Sequence, residues 1–366
     1  MLNPTRSRRT RTTLTLSGLA VVSTLALAGC SLTGGSGDSN GSDEAGGSGG
    51  TVTIMTHDSF AISEEQIAEF EEQTGYELVT TAPGDSGALV NQLILQKDSP
   101  TVDGVYGIED YSTAPLVDEG VMAEYSSEAL PDSAQELLAD GDAAGYFTPI
   151  DQGQVCINVD DAWFEDDARN TNELAAPTSL EQLRDPEYAE LLTVIDPNTS
   201  SPGLAFLAAT ATAYPDGEWE NYWSDLLDGG ATVASGWSDA YYVEFSGSSG
   251  EGPSPLVLSY SSSPAYEPTT SIIEDSCSPQ VEYAGVVEGA QNPEGAQAFI
   301  DFLLAEDFQA SLPEAMYMYP VDDSIELPTE WTENAQLAED PIRPDTAEVA
   351  EQRADWLSTW TELYES

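Results

Sequence analysis

Between residues 51 and 107 the chain alternates short apolar runs with capped amphipathic segments, and that alternation confines it to the α/β class. Thr51-Val52-Thr53-Ile54-Met55-Thr56 reads as a strand with His57-Asp58-Ser59-Phe60 as its exit loop. Ser63 opens a helix, and Gln66 three residues later completes a capping box. Ile67 and Phe70 share one face of that helix, and Gly75 closes it. Residues 76–80 predict a second strand, 88–96 a second helix and 102–107 a third strand, with Pro83-Gly84-Asp85-Ser86-Gly87 as a turn. The result is a β-α-β-α-β opening, the doubly wound pattern.

The second half repeats the theme less regularly. Residues 153–159 predict a strand crossing into a second lobe, and Ser179 caps a short helix over 180–184. A strand over 192–196 is followed by the polar turn Pro197-Asn198-Thr199-Ser200-Ser201-Pro202-Gly203 and an apolar helix over 204–213. A helix over 219–227 and a strand over 232–234 lead into Gly236-Trp237-Ser238-Asp239-Ala240-Tyr241-Tyr242. Leu256-Val257-Leu258-Ser259-Tyr260 is a buried strand that leaves the sheet through Ser261-Ser262-Ser263-Pro264-Ala265-Tyr266. In open α/β sheets ligands bind outside the carboxyl ends of strands, so these two aromatic exits mark a small-molecule cleft. Residues 281–287 predict the return strand, and 293–304 and 356–364 are helical.

A chain of 366 residues is too long for one ordinary core and suits two lobes. Its charge excludes several partners. Sixty-six acids face nine lysines and arginines, and Arg6, Arg8, Arg9 and Arg11 precede Cys30. Only Lys97, Arg169, Arg184, Arg343 and Arg353 remain beyond it. Such a surface does not bind nucleic acid or anionic lipid through phosphate contacts. It suits a salty or alkaline exterior, where a hydrated carboxylate shell maintains solubility. There is no internal repeat, no phosphate-binding Walker loop and no GxGxxG.

The first thirteen residues are basic, and residues 14–28 form an apolar stretch too short to span a bilayer. Leu27-Ala28-Gly29-Cys30 resembles the bacterial lipobox, which implies a leader over 1–29 and a lipid on Cys30. Residues 30–50 are a flexible Ser/Gly/Asp linker. The expectation is an exported protein, anchored to the outer face of the cytoplasmic membrane or periplasmic. In an oxidising compartment Cys156 and Cys277 form one disulfide or stay as two buried thiols, with the disulfide favoured.

Five motifs come in a recognisable order: Thr56-His57-Asp58-Ser59-Phe60, Thr199-Ser200-Ser201-Pro202-Gly203-Leu204, Gly236-Trp237-Ser238-Asp239-Ala240-Tyr241, the run from Leu256 to Tyr266, and Met318-Tyr319-Pro320-Val321. In these the chain resembles the thiamine-binding proteins of bacterial ABC importers. The similarity runs from about residue 51 to the C-terminus. It implies a two-lobed periplasmic-binding-protein-like fold of type II, each lobe a mixed sheet flanked by helices. Lobe 1 would take 51–150 and 284–366, with its C-terminal part free to pack on lobe 2, and lobe 2 would take 151–283. It also implies a monomer that captures thiamine or its phosphates, does no chemistry on them, needs no cofactor, and hands them to a permease. By the same resemblance Trp237, Tyr260 and Tyr266 contact the ligand, Ser200 lies at its phosphate end, and Asp85 is an acidic contact. Three positions depart. His57 stands where the family has tyrosine, Tyr317 where it has tryptophan, and a tryptophan expected after Phe60 is missing near Glu64.

The residue chemistry is consistent with that ligand. Thiamine is a permanent cation with two flat rings, and a cation over an aromatic face gains about 0.5–2 kcal/mol. Trp237, Tyr260, Tyr266 and Tyr317 offer faces, Asp85 offers a charge, and His57, Asp58 and Tyr241 adjoin them in the motifs. The helix beginning after Pro202-Gly203 offers backbone N–H groups to a phosphate, with hydroxyls from Thr199, Ser200 and Ser201. The plain alternatives are core packing for the aromatics and simple helix capping for Ser200 or Ser201. A second reading takes Tyr241, Tyr242 and His57, with Glu109 or Asp110, as a ferric-iron set on the same fold. A hydrolase built on His57 and Ser59 lacks a third orienting group.

Overall fold

The computed structural model describes residues 49–249, 251–335 and 337–366. The leader, Cys30 and nearly all of the linker lie outside the described residues.

The chain begins as its sequence pattern predicts. Strand β1 (Gly50–Thr56), helix α1 (Glu64–Thr74), strand β2 (Tyr76–Thr81), helix α2 (Ser86–Gln96) and strand β3 (Gly104–Glu109) follow in order. The Ser63–Gln66 capping box is formed in full, and Gly75 ends α1 in the left-handed region. Next come α3 (Asp110–Asp118), the short β4 (Met122–Ala123), and β5 (Phe147–Asp160), which at 14 residues is twice the length read from the sequence. The far side holds α4 (Asp161–Glu165), α5 (Pro186–Ala189), β6 (Leu192–Ile195), α6 (Ser201–Ala213), α7 (Glu218–Asp228), β7 (Thr232–Ala234), the single turn α8 (Trp237–Asp239) and β8 (Leu256–Tyr260). Residues 180–184 make a tight 3-10 turn rather than an α-helix. The chain returns through β9 (Thr270–Ile272) and β10 (Ser278–Val287), then α9 (Pro293–Leu303), α10 (Glu306–Met316), β11 (Tyr319–Pro320), α11 (Thr329–Asn334) and α12 (Thr346–Tyr364).

The main sheet order is β2-β1-β3-β10-β5-β8-β6-β7. The pairs β2–β1–β3 are parallel, as are β8–β6–β7. The long β5 and β10 lie antiparallel between these halves and pass from one to the other. Two lobes therefore share two crossing strands, and the boundaries read at residues 151 and 283–284 fall inside those strands. Both neighbours of β10 bulge beside it: Ile150 of β5 is the extra residue opposite Glu282 and Tyr283, and Gly107 of β3 the extra residue opposite Tyr283 and Ala284. A bulge adds a residue and re-aims its neighbours, and here the two bulges shift the register of β3 and β5 against β10 at the crossing.

Packing follows the helix periodicity. α7 buries Trp219, Tyr222, Trp223 and Leu226, the i, i+3, i+4, i+7 stripe. α12 touches both lobes: Arg353 Nη1 donates to the Tyr111 carbonyl (3.1 Å) and Ser112 Oγ (3.0 Å) of α3, and Trp360 sits edge-on to Trp223 of α7. Cys156 on β5 and Cys277 just before β10 are joined, S–S 2.08 Å. No described helix is long and apolar enough to cross a membrane.

Candidate functional site

Four loops meet where the lobes face each other. The β1 exit loop brings His57 and Ser59, and the head of α2 brings Asp85 and Ser86. The head of α6 brings Ser201 and Pro202, and the β7–α8 turn brings Trp237. With Tyr260 at the end of β8, Glu282 on β10, and Met316 and Met318, these line a narrow cavity of about 20 Å³ between the lobes, room for about one water.

The lobes touch directly across this cavity. Asp85 Oδ2 accepts from the backbone N–H of Trp237 (3.0 Å) while its Oδ1 accepts from Ser86 N (2.6 Å) at the head of α2. The hydroxyls of Ser59 and Ser238 are 3.1 Å apart. Gly87 N donates to the Thr199 carbonyl (3.0 Å), which joins the loops that open α2 and α6.

Trp237 is held at its backbone, at its ring edge and on one face. Its Nε1 donates to Ser259 Oγ (2.9 Å), its ring stacks on Tyr241 (5.2 Å, 11°), and Tyr260 and Tyr317 lean on it at 6.0 and 5.9 Å. Of the aromatics picked from the sequence, Trp237 and Tyr260 line the cavity. Tyr241 and Tyr317 form the layer behind Trp237. Tyr266 stands one ring further out, packed on Tyr317 (4.9 Å), its hydroxyl accepting from Trp331 Nε1 (2.9 Å). Tyr317 caps α10 in the left-handed region, φ 60°.

Ser200 and Ser201 occupy the N-cap and first position of α6, which starts three residues earlier than the sequence suggests. Pro in a first turn forfeits no bond the helix would make, so Pro202 does not delay the start. Gly203 lies inside that turn, where a Cβ would sit 2.5 Å from the Ile195 carbonyl oxygen. Ser200 Oγ is buried, makes no capping bond and has no partner, and neither does Ser86 Oγ in the opposite lobe. Two helix N-termini thus present unspent donors near one cavity. Asp58 is exposed, its N–H bonded to the Gly84 carbonyl (3.0 Å), and it borders an adjacent open groove rather than the cavity. Partial desolvation of its carboxyl and the charge of nearby Asp85 raise its pKa.

Beneath the aromatics lies a polar network that sequence reasoning missed. His57 Nε2 is 3.3 Å from Glu282 Oε2, and His57 Nδ1 accepts from Ser59 N (3.2 Å). The Tyr106 hydroxyl reaches both Glu282 Oε2 (2.9 Å) and Asp151 Oδ2, and Gln280 Nε2 bonds the Tyr260 hydroxyl (3.1 Å). Glu282 and Asp151 are cross-strand partners at the crossing. One hydroxyl between two carboxylates needs a proton on one of them. Burial and the charge of Glu282 push Asp151 far above the carboxylate range, so Asp151 holds it. Burial also works against an ionised Glu282, but His57 and the hydrogen bonds of His57, Tyr106 and Gln280 outweigh it, and its pKa is lowered. Burial lowers His57, yet Glu282, Asp85 and Asp58 together leave it raised. Gly107 makes room for the ring: its φ is +94°, and a Cβ there would collide with His57.

The ferric-iron set does not assemble. Glu109 is spent on Tyr111 N (2.6 Å) and the Ser112 hydroxyl, and Asp110 on Val281 N (2.8 Å) and the Tyr283 hydroxyl (2.9 Å). Tyr241 is buried while Tyr242 faces solvent. Among the described residues no group of three or more His, Cys, Asp and Glu side chains is placed to hold a metal. Ser59 Oγ turns to Ser238 and not to His57, so no nucleophile–base pair forms.

Comparison with known proteins agrees with this architecture. The thiamine-binding periplasmic protein of Escherichia coli (strain K12) is 29% identical over 325 residues, 84% of this chain and 92% of that protein. A solved periplasmic thiamin binding protein superposes with a TM-score of 0.71 at 28% identity, covering 86% of this chain and 96% of that one. The ferric binding protein from Campylobacter jejuni shares the fold, with a TM-score of 0.66 at 17% identity over 85% of this chain and 99% of that one. The family model described as bacterial extracellular solute-binding protein matches residues 99–340. With two thirds of its length matched and two lobes closed on a shared cavity, the chain belongs to the bacterial extracellular solute-binding proteins.

Proposed function

We propose that this protein captures thiamine or a phosphate ester of thiamine outside the cytoplasm and passes it to an ABC importer. The observation that carries the reading is the combination in one inter-lobe cavity of two aromatic faces, Trp237 and Tyr260, with the ionised Glu282. Flat cationic rings gain from aromatic faces, and a buried carboxylate favours a positive partner. The likeness to thiamine-binding relatives over most of the chain supports the same ligand. The paired heads of α2 and α6, with Ser86, Ser200 and Ser201, suit an ester phosphate in a protein that has almost no cations to spare. The ligand bridges lobes that hinge on β5 and β10, and closure is secured by the Asp85–Trp237, Ser59–Ser238 and Gly87–Thr199 contacts. The Cys30 pattern supports a lipid anchor and residues 31–50 a tether, so that a monomeric binding body works near its permease.

Titration with thiamine, its monophosphate and its diphosphate, followed by tryptophan fluorescence, tests this. Quenching of Trp237 at sub-micromolar ligand is expected. A flat response to all three would sink the assignment, and native mass spectrometry of the purified protein would then identify what it carries.

A further inference from the structure

Glu282 lies at the base of the cavity on a crossing strand, 4% exposed, and no described lysine or arginine lines that cavity. Its one basic neighbour there is His57, itself 6% exposed. A buried carboxylate must be paired or become neutral, and Glu282 accepts hydrogen bonds from Tyr106 and Gln280, neither of which carries a charge to offset its own. Three carboxylates bear on the charge of the His57 ring. Glu282 faces it from β10, Asp85 from the head of α2 and Asp58 from its own loop, and Tyr106 of β3 packs at 5.5 Å. Asp151, the remaining acid of the cluster, carries the shared proton and adds no charge.

We infer that Glu282 is the residue that selects a positively charged ligand, and that His57 is its exchangeable counter-ion, so that capture of the cation expels the imidazolium proton to solvent. The inference rests on the thiamine reading above for the charge of the ligand. It is distinct from the aromatic contacts, because it concerns which charge the cavity tolerates and at what pH.

Geometry links the proton to closure as well as to charge. With Nε2 directed at Glu282, the second ring proton must go on Nδ1, which faces the Ser59 N–H at 3.2 Å. Two donors then oppose each other, and the Ser59 segment has to move. Ser59 Oγ is also one of the three contacts that hold the lobes together, through Ser238. Protonated His57 therefore opposes the ligand twice, by repelling its charge and by loosening the lobe contact. Neutral His57 leaves Glu282 free for the cation. Burial lowers the His57 transition, and the charges of Glu282, Asp85 and Asp58 outweigh it and leave the transition above the ordinary histidine range.

Calorimetric titration of the full chain with thiamine between pH 6 and 8.5, in two buffers of different ionisation enthalpy, tests the inference. Kd is expected to fall by up to about tenfold per pH unit while His57 loses its proton in the free protein, then level off, with proton release on binding. His57→Gln is expected to abolish both the slope and the proton release, and to bind at pH 6 more tightly than the parent does at that pH. Glu282→Gln is expected to weaken thiamine about ten- to hundredfold and to narrow its advantage over thiochrome, a flat neutral relative. Should Glu282→Gln melt early, the His57→Gln comparison decides alone. Thiamine bound with no pH slope, or with the same slope in His57→Gln, overturns the proton exchange and leaves the thiamine reading intact. No binding of thiamine at any pH overturns both.

Discussion

Trp237 is fastened at its backbone, its ring edge and its ring face, each by a different lobe element. Its N–H is taken by Asp85 from the other lobe, its Nε1 by Ser259, and its face by Tyr241. The residue is buried and also lines the cavity. These roles separate by substitution. Trp237→Phe keeps an aromatic face and the Asp85 contact and loses one hydrogen bond, worth about 0.5–1.5 kcal/mol, so a roughly three- to tenfold weaker Kd for thiamine is expected. Trp237→Ala also removes the face, and a loss of about 2 kcal/mol or more is expected, some thirtyfold in Kd. Equal losses in the two variants, measured by calorimetric titration, would mean that the indole edge and not its face matters. Trp237 and Tyr260 were legible in the sequence because aromatic residues at strand exits are locally visible. Glu282 was not: in a chain with 66 acids, one more carboxylate in a strand carries no signal. Asp85 was legible as an acid at the site, but its two oxygens serve Ser86 N and Trp237 N, a latch that no local pattern announces.

Among the elements, α6 shows how a small boundary change alters chemistry. Read from periodicity, the helix starts at residue 204; in the structure Ser201 is its first residue and Ser200 its N-cap. A serine at an N-cap ordinarily accepts a bond from the helix and contributes about 0.5–2 kcal/mol. Ser200 Oγ makes no such bond. Ser200→Ala is therefore expected to leave the melting temperature nearly unchanged. It is expected to weaken thiamine monophosphate by roughly tenfold, the scale of a hydrogen bond to a charged group, and thiamine itself far less. A lowered melting temperature with unchanged ligand preference would return Ser200 to plain capping. Two other helices escaped sequence reading for a related reason. α3 contains Pro115 and α10 contains Pro313, and an internal proline reads as a helix breaker. β5 and β10 were each read short: Asp151 and Gln152 interrupt the apolar run of β5 and Gln280 that of β10, where Glu282 alone was kept inside the strand that was read. Those polar residues are buried at the crossing, or half-buried for Gln152, and pair with each other and with their neighbours.

At the scale of the whole molecule, charge sets the working conditions. The few cations beyond Cys30 are mostly committed locally: Lys97 to Glu119, Arg169 to Asp160 and Asp166, Arg184 to Glu181 and Asp225, and Arg353 to α3. Nothing offsets the remaining acids, and their mutual repulsion favours the expanded chain. Raising NaCl from about 0.1 M to about 1 M shortens the screening length from about 10 Å to about 3 Å. A melting temperature that climbs by several degrees over that range in scanning calorimetry is expected. A flat or falling response would show that the carboxylates are already too well spaced or solvated to repel. Salt also weakens surface attraction for a cation, but the buried Glu282–His57 pair is screened far less. Affinity for thiamine should therefore respond to pH more than to salt.

What the sequence determined on its own was local in origin: alternating strands and helices, the capping box at Ser63, the acidic surface, and aromatics at two strand exits. Each rests on neighbours within a few residues, where spacing alone dictates geometry. The tertiary structure alone decided that Asp85 meets Trp237 152 positions away and that His57 meets Glu282 225 positions away. Those meetings depend on the crossing of β5 and β10 and on the register shifts at the bulges of β3 and β5 beside it, and no pattern short of the assembled sheet contains them.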